Sequence, residues 1–114
     1  MTAPPMIHVH FLILPDSLIM DWAGPAEALR IANADLQKRG QEPAFRLHFV
    51  GPNAEVPSSV GACIANLEEL PDLHTLVALG ETHWLVLVGQ PGNQLDLQTP
   101  AMRTALHWLR GLRL

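Results

Sequence analysis

The chain has 114 residues, enough for one domain and no more. Hydrophobic residues are 48% of it and charged residues 16%, a balance that excludes disorder and supplies a sizeable core. Seven Lys and Arg against eleven Asp and Glu leave a net charge of -4, which excludes direct nucleic-acid binding by this segment.

One cysteine cannot make an internal disulfide, so the composition fits a reducing cytoplasm. The start carries no Lys or Arg ahead of the apolar Phe11 to Leu14 run, and Pro15 breaks that run, which argues against a secretory signal. Nothing approaches the roughly 18 apolar residues of a membrane span. The expectation is a soluble, cytoplasmic chain.

Ile7 to Leu14 (IHVHFLIL) reads as a strand buried on both faces and closed by Pro15-Asp16. A helix is expected to begin at Pro25, whose missing N–H suits the first helical position. Glu27 then lies in the first turn, where the helix dipole favours an acid. Ala28, Leu29, Ala32 and Leu36 share one face, and Gly40 ends the element.

Phe45 to Val50 (FRLHFV) is a second strand, closed by Gly51-Pro52-Asn53. Gly61 to Ala65 reads as half of a short hairpin, and Leu67 to Leu70 as one helical turn stopped by Pro71. Thr75 to Leu79 fits a strand or a buried helix equally. Trp84 to Val88 (WLVLV) is the clearest strand, and Gly89-Gln90-Pro91-Gly92 terminates it. Thr99-Pro100 opens a last helix with Thr as its cap, and Met102, Ala105, Leu106 and Leu109 make its apolar stripe.

Strands alternating with helices predict an α/β fold: a mostly parallel sheet with helices on both faces. Right-handed crossovers restrict its winding. Three parallel strands and two long helices leave an apolar sheet edge open, and Trp84 to Val88 has no Lys, Pro or charge to blunt it. The chain therefore reads as the first part of a larger domain.

The segment His10 to Asn33 (HFLILPDSLIMDWAGPAEALRIAN), then LHFVGP at Leu47 to Pro52, LEELP at Leu67 to Pro71 and WLVLVGQPG at Trp84 to Gly92 follow one another in a familiar order. Together they resemble the PfpI/ThiJ superfamily, whose sheet is flavodoxin-like and of the class I glutamine amidotransferase type. The Asp-x-x-Gly-Pro-x-Glu of Asp21 to Glu27 looks most like two of its branches. One is the amino-terminal sensory domain of AraC-type transcriptional regulators; the other is the isonitrile hydratase-like enzymes. The resemblance covers nearly all of residues 1–114 but only about the first half of such a domain. It stops short of the turn that carries a reactive cysteine in the enzymes, and of any helix-turn-helix domain.

The resemblance implies that Asp21 matches the family's acidic residue, which in the enzymes lies beside the nucleophile. Residue chemistry alone also allows Asp21 to receive backbone N–H groups at the helix start near Gly24-Pro25. Should the first strand lie between the second and third, the crevice beyond the strands' carboxyl ends becomes a ligand site. That places Asp16, Asp21 and Trp22 after the first strand, and Gly89 and Gln90 after the third, as candidate ligand-binding residues. Gly89 and Gly92 permit close backbone approach, although such glycines also simply turn the chain.

Cys63 lies in an extended segment without the following helix that a nucleophile elbow needs, so a small buried hydrophobe is the expected role. No catalytic residue and no cofactor are expected. His8 and His10 share one strand face, and His48 lies on the next strand. Zinc would need their nitrogens to converge at about 2 Å from one point; hydrogen-bonded or solvent-facing imidazoles are the commoner case. Trp84 and Trp108 suit core positions, and Arg103, Arg110 and Arg113 are too few for a nucleic-acid footprint. The expected partners are a small-molecule effector and a second copy of the chain, with no membrane.

Overall fold

A computed structural model describes residues 6–92 and 96–112. Three parallel strands form the sheet: β1 (Ile7–Leu12), β2 (Phe45–Val50) and β5 (Thr82–Leu87), in the order β2-β1-β5. Ile7 lies opposite Phe45 on one side and Thr82 on the other, and both ladders run in register to Leu12. A two-residue hairpin pairs β3 (Val56–Pro57) with β4 (Cys63–Ile64). The helices are α1 (Ile19–Lys38), α2 (Leu73–Ala78) and α3 (Pro100–Arg110). This is the expected α/β architecture, with the first strand in the middle.

Side chains of β1 alternate between two cores. Val9, Phe11 and Ile13 pack with Ala26, Trp22 and Leu29 of α1. Leu12 and Leu14 face the other way, against Met102, Ala105 and Trp108 of α3. Burial on both faces explains the unbroken apolar run. Val9, Phe11, Leu12 and Ile13 are each at most 1% exposed, worth roughly 2 kcal/mol apiece in transfer free energy.

The first helix departs from expectation by starting six residues early, at Ile19, with Pro25 inside it. Its cap is Leu18, which offers no side-chain hydrogen bond, so the usual polar start signal is missing. Pro25 withholds a hydrogen bond only from the Asp21 carbonyl, in the exposed first turn, so the helix tolerates it. The buried stripe is accordingly Trp22, Ala26 and Leu29, and Ala28 is exposed. Gly40 closes the helix as expected, at φ 74°, with its N–H on the Gln37 carbonyl at 3.0 Å and the Gln41 N–H on Leu36 at 2.9 Å.

Four further expectations need correction. Leu67 to Leu70 is not a helical turn; Glu68 makes a parallel bridge to Val50, its N–H donating to the Phe49 carbonyl at 2.8 Å. Thr75 to Leu79 resolves as helix through Ala78, but α2 buries no residue. Cys63 is exposed rather than buried, because its hairpin lies on the surface. Trp84 is 45% exposed, since β5 pairs with β1 alone among the described residues; its ring rests on Phe45 at 5.7 Å. Thr99, by contrast, caps α3 as expected, accepting from the Met102 N–H at 3.3 Å with Pro100 next. Arg113 lies outside the described residues.

Asn33 ties α1 to the sheet. Its Oδ1 accepts from the N–H groups of Ala44 and Phe45 at 3.0 and 3.1 Å, and its Nδ2 donates to the Phe45 carbonyl at 2.7 Å. Replacing it by Ala strands three backbone groups, and a loss of about 2 kcal/mol is expected in urea unfolding. Gly51 is as constrained by contact: a Cβ there would stand 2.7 Å from the Ile13 carbonyl oxygen. That oxygen is backbone and cannot step aside, so Gly51→Ala should cost about 2–3 kcal/mol. A thermal melt then shows a midpoint lowered by about 10 °C.

Candidate functional site

The sheet order puts β1 between strands whose connections leave in opposite directions, so the topological crevice of such a sheet lies beyond the carboxyl ends of β1 and β5. Two segments meet there. Leu18 donates its N–H to the Gly89 carbonyl at 3.0 Å, and the Gln90 Nε2 donates to the Pro15 carbonyl at 2.6 Å. The Asp21 carboxylate lies directly over the Gly89 α-carbon; a Cβ on Gly89 would fall 2.5 Å from its Oδ2. The missing Cβ of Gly89 is what lets the Asp21 carboxylate rest there.

Of the five sequence-predicted residues, four gather at this end: Asp16, Asp21, Gly89 and Gln90. Asp16 is exposed and holds a left-handed backbone at φ 64°, with its N–H on the Pro57 carbonyl at 2.7 Å. Trp22 points elsewhere. It is half-buried in the core between α1 and the sheet, edge-on to Phe49 at 5.7 Å. Asp21 does not cap α1, whose start has no side-chain cap.

Sequence reasoning missed Ser17. Its side chain is fully buried, its hydroxyl has no partner among the described residues, and its carbonyl accepts from the Ser59 N–H at 3.0 Å. The β3–β4 hairpin thus forms a wall of the crevice, through long-range contacts that no local pattern announces.

A second polar cluster occupies the other half of the sheet, on the face that carries α3. His8 and His10 of β1 meet His48 of β2 and His83 of β5, four imidazoles in near-parallel stacks with centroids 4.7–5.2 Å apart between neighbouring strands. His8 Nδ1 is 2.9 Å from His48 Nε2, and His10 Nε2 is 2.9 Å from His83 Nδ1. Glu81 pairs with His8 Nε2, and Glu68 stands 3.6 Å from His48 Nδ1. Stacked rings aim their lone pairs along parallel planes instead of at one point. Among the described residues, no group of three such side chains is arranged to hold a metal.

His83 was missed because the strand was expected to begin at Trp84; its opposition to His8 follows from the register. The surroundings of Cys63 disfavour its thiolate. Its thiol donates to Glu55 at 3.6 Å, and partial desolvation, then the Glu55 charge and that hydrogen bond, raise it above the ordinary thiol range.

With the histidine face in place, the chain has the layout of a doubly wound α/β domain, its parallel sheet covered by helices on both faces. Its fold is similar to that in the crystal structure of an AraC family transcriptional regulator from Pseudomonas putida, with a TM-score of 0.55 and 20% sequence identity. The match covers 89% of this chain and 56% of that one, so the chain spans little more than half the regulator's length. No protein-family model matches the sequence, and no curated protein does. No described helix is long and apolar enough to cross a membrane.

His10 is 2% exposed, and burial, followed by the charges of His48, His83 and His8, lowers its pKa to about 4 from the ordinary 6.5. Between those values the unfolded chain binds more protons than the folded one. This contribution to stability is therefore complete above about pH 6.5 and lost as the pH falls toward 4. Thermal melts from pH 8 to 4 should show that decline, and His10→Gln should flatten it.

Proposed function

We propose that this chain is the amino-terminal, ligand-sensing part of an AraC-type transcriptional regulator. The observation that carries the reading is the crevice at the switch point, where the Asp21 carboxylate sits over Gly89 and the buried Ser17 hydroxyl lacks a partner. Likeness of fold to the Pseudomonas putida regulator supports it further. In this reading a small polar metabolite enters between the β1–α1 loop and the loop after β5. Asp16, Asp21 and Gln90 supply acceptors and donors, while Gly89 keeps the backbone close.

Binding would tighten two loops that already share the Leu18–Gly89 and Gln90–Pro15 hydrogen bonds. That change would pass to an attached DNA-binding domain, since this segment has no basic surface of its own. Self-association is the second half of the proposal. Among the described residues β5 presents Leu87, 61% exposed, and Trp84 beside an edge bonded on one side only. Residues 1–114 alone pair a second copy along that edge, which the next strand takes in a larger domain.

Reading the native gene beyond the Leu114 codon tests the assignment. A continuing frame with a basic helix-turn-helix domain is the expected result; an elbow cysteine followed by a stop would replace the regulator with an enzyme. In the intact gene product, Gly89→Ala displaces the flexible Asp21 side chain and little else. It should cut effector response in a promoter–reporter assay by about tenfold or more, with stability changed by about 1 kcal/mol or less. Size-exclusion of residues 1–114 with light scattering should return a dimer, and a monomer at high concentration would remove that half of the proposal.

A further inference from the structure

The histidine face is remote from the switch-point crevice and nothing in the proposed sensing role uses it. Its hydrogen-bond pattern can be counted. The groups Glu81, His8, His48 and Glu68 form one chain of three contacts: carboxylate to His8 Nε2, His8 Nδ1 to His48 Nε2, and His48 Nδ1 to carboxylate. Each contact needs one proton, because a carboxylate only accepts and two bare imidazole nitrogens repel. Two neutral imidazoles bring two protons. His8 must use its own toward Glu81, and His48 must use its own toward His8. The His48 Nδ1 lone pair is then left facing the Glu68 oxygen at 3.6 Å, too far for a hydrogen bond.

The second pair behaves differently. His10 and His83 share one contact, which one proton satisfies, and the other nitrogen of His10 is buried with no partner. Among the described residues no carboxylate is placed to compensate a charge on His10. His83 stacks on His8 and His10 on His48, so a charge on the first pair also opposes one on the second.

The two carboxylates bracket α2. Glu68 precedes it in the segment that bridges to Val50, and Glu81 follows it at the entry to β5. The helix itself buries no residue, and just before it Trp108 Nε1 donates to the Pro71 carbonyl at 2.8 Å. Leu76 and Leu79, with Pro71, roof a cavity of about 170 Å³ whose floor is the four histidines. Its own titratable groups are engaged elsewhere: Asp72 caps the helix through Thr75, and His74 reaches the Gly111 carbonyl at 2.8 Å. Arg46, in register with His8 on β2, is the remaining charge on this face of the strands.

We propose that the histidine face is a one-proton switch: a proton taken from solvent onto His48 Nδ1 turns the Glu68 contact into a charged hydrogen bond and fastens the α2 segment over the sheet. The proton goes to a single place, between two carboxylates, and His10 and His83 stay neutral beside it. Losing the proton leaves lone pair against lone pair at Glu68, and the segment from Glu68 to Glu81 loosens. The cavity beneath it opens as a consequence, so access to this half of the sheet follows pH.

Nitrogen-15 imidazole spectra of the full chain, read with amide hydrogen exchange of α2, test this. On lowering the pH from about 8 to about 6, the first ring to gain a second proton should be His48, with His10 and His83 still carrying one each. Exchange of α2 amides, corrected for intrinsic rates, should be about tenfold slower at that pH than at about pH 8. Glu68→Gln, a change at an exposed side chain, should erase the difference, and Glu69→Gln, one residue along, should keep it. Protons spread evenly over all four rings would overturn the proposal. So would α2 exchange that is independent of pH in the unaltered chain, or that keeps its pH dependence in Glu68→Gln.

Discussion

Every other feature of the molecule hangs on the middle strand. β1 is bonded along both edges and covered on both faces, so its backbone groups and its side chains are both spoken for. A strand in that position must be apolar at nearly every residue, and polar groups are tolerated only where they find partners. Chemistry is accordingly pushed to the strand's two ends. At the carboxyl end the chain turns at Pro15-Asp16 and the crevice begins. Toward the amino end the even-numbered face carries His8 and His10 where a purely structural strand would carry Val or Ile.

The two ends solve the same physical problem in different ways. In the crevice, backbone groups of one loop are satisfied by the other: Leu18 by Gly89, and Pro15 by Gln90. That arrangement holds two loops at a fixed spacing and leaves the Asp21 carboxylate and the Ser17 hydroxyl free of one another. On the histidine face, imidazoles satisfy imidazoles, which works only while most of them are neutral. Desolvation first, and then the neighbouring rings, lower His83 as well as His10, with Glu81 opposing the shift at His83. Carboxylates at the exposed ends of the cluster are what make one extra proton tolerable there.

Local signals were reliable where local physics decides. β2 was legible at its bounds, because FRLHFV is flanked by a Pro and by Gly51-Pro52. The Thr99-Pro100 start of α3 and the Gly40 stop of α1 were legible for the same reason: caps are made by adjacent residues. The start of α1 was not, since Leu18 is held by the Gly89 carbonyl from across the sheet and no capping side chain marks it. The Leu67 to Leu70 turn failed similarly. Its backbone donors and acceptors go to β2, and a segment with such partners has no need of helical bonds. Cys63 and Trp84 were misplaced because burial of a short hairpin or an edge strand depends on what lies outside it.

What the sequence by itself determined is the alternation of elements, the two-faced burial of the first strand, and the net negative charge of the chain. Hydrophobic period, capping chemistry and charge are properties of neighbouring residues, and they can be read along a line. Only the tertiary structure decided which residues meet. Asp21 over Gly89, Ser17 against the hairpin, and four histidines from three strands are all pairings between distant parts of the chain. They are set by strand order and register, and a shift of one residue would have turned every histidine to the opposite face.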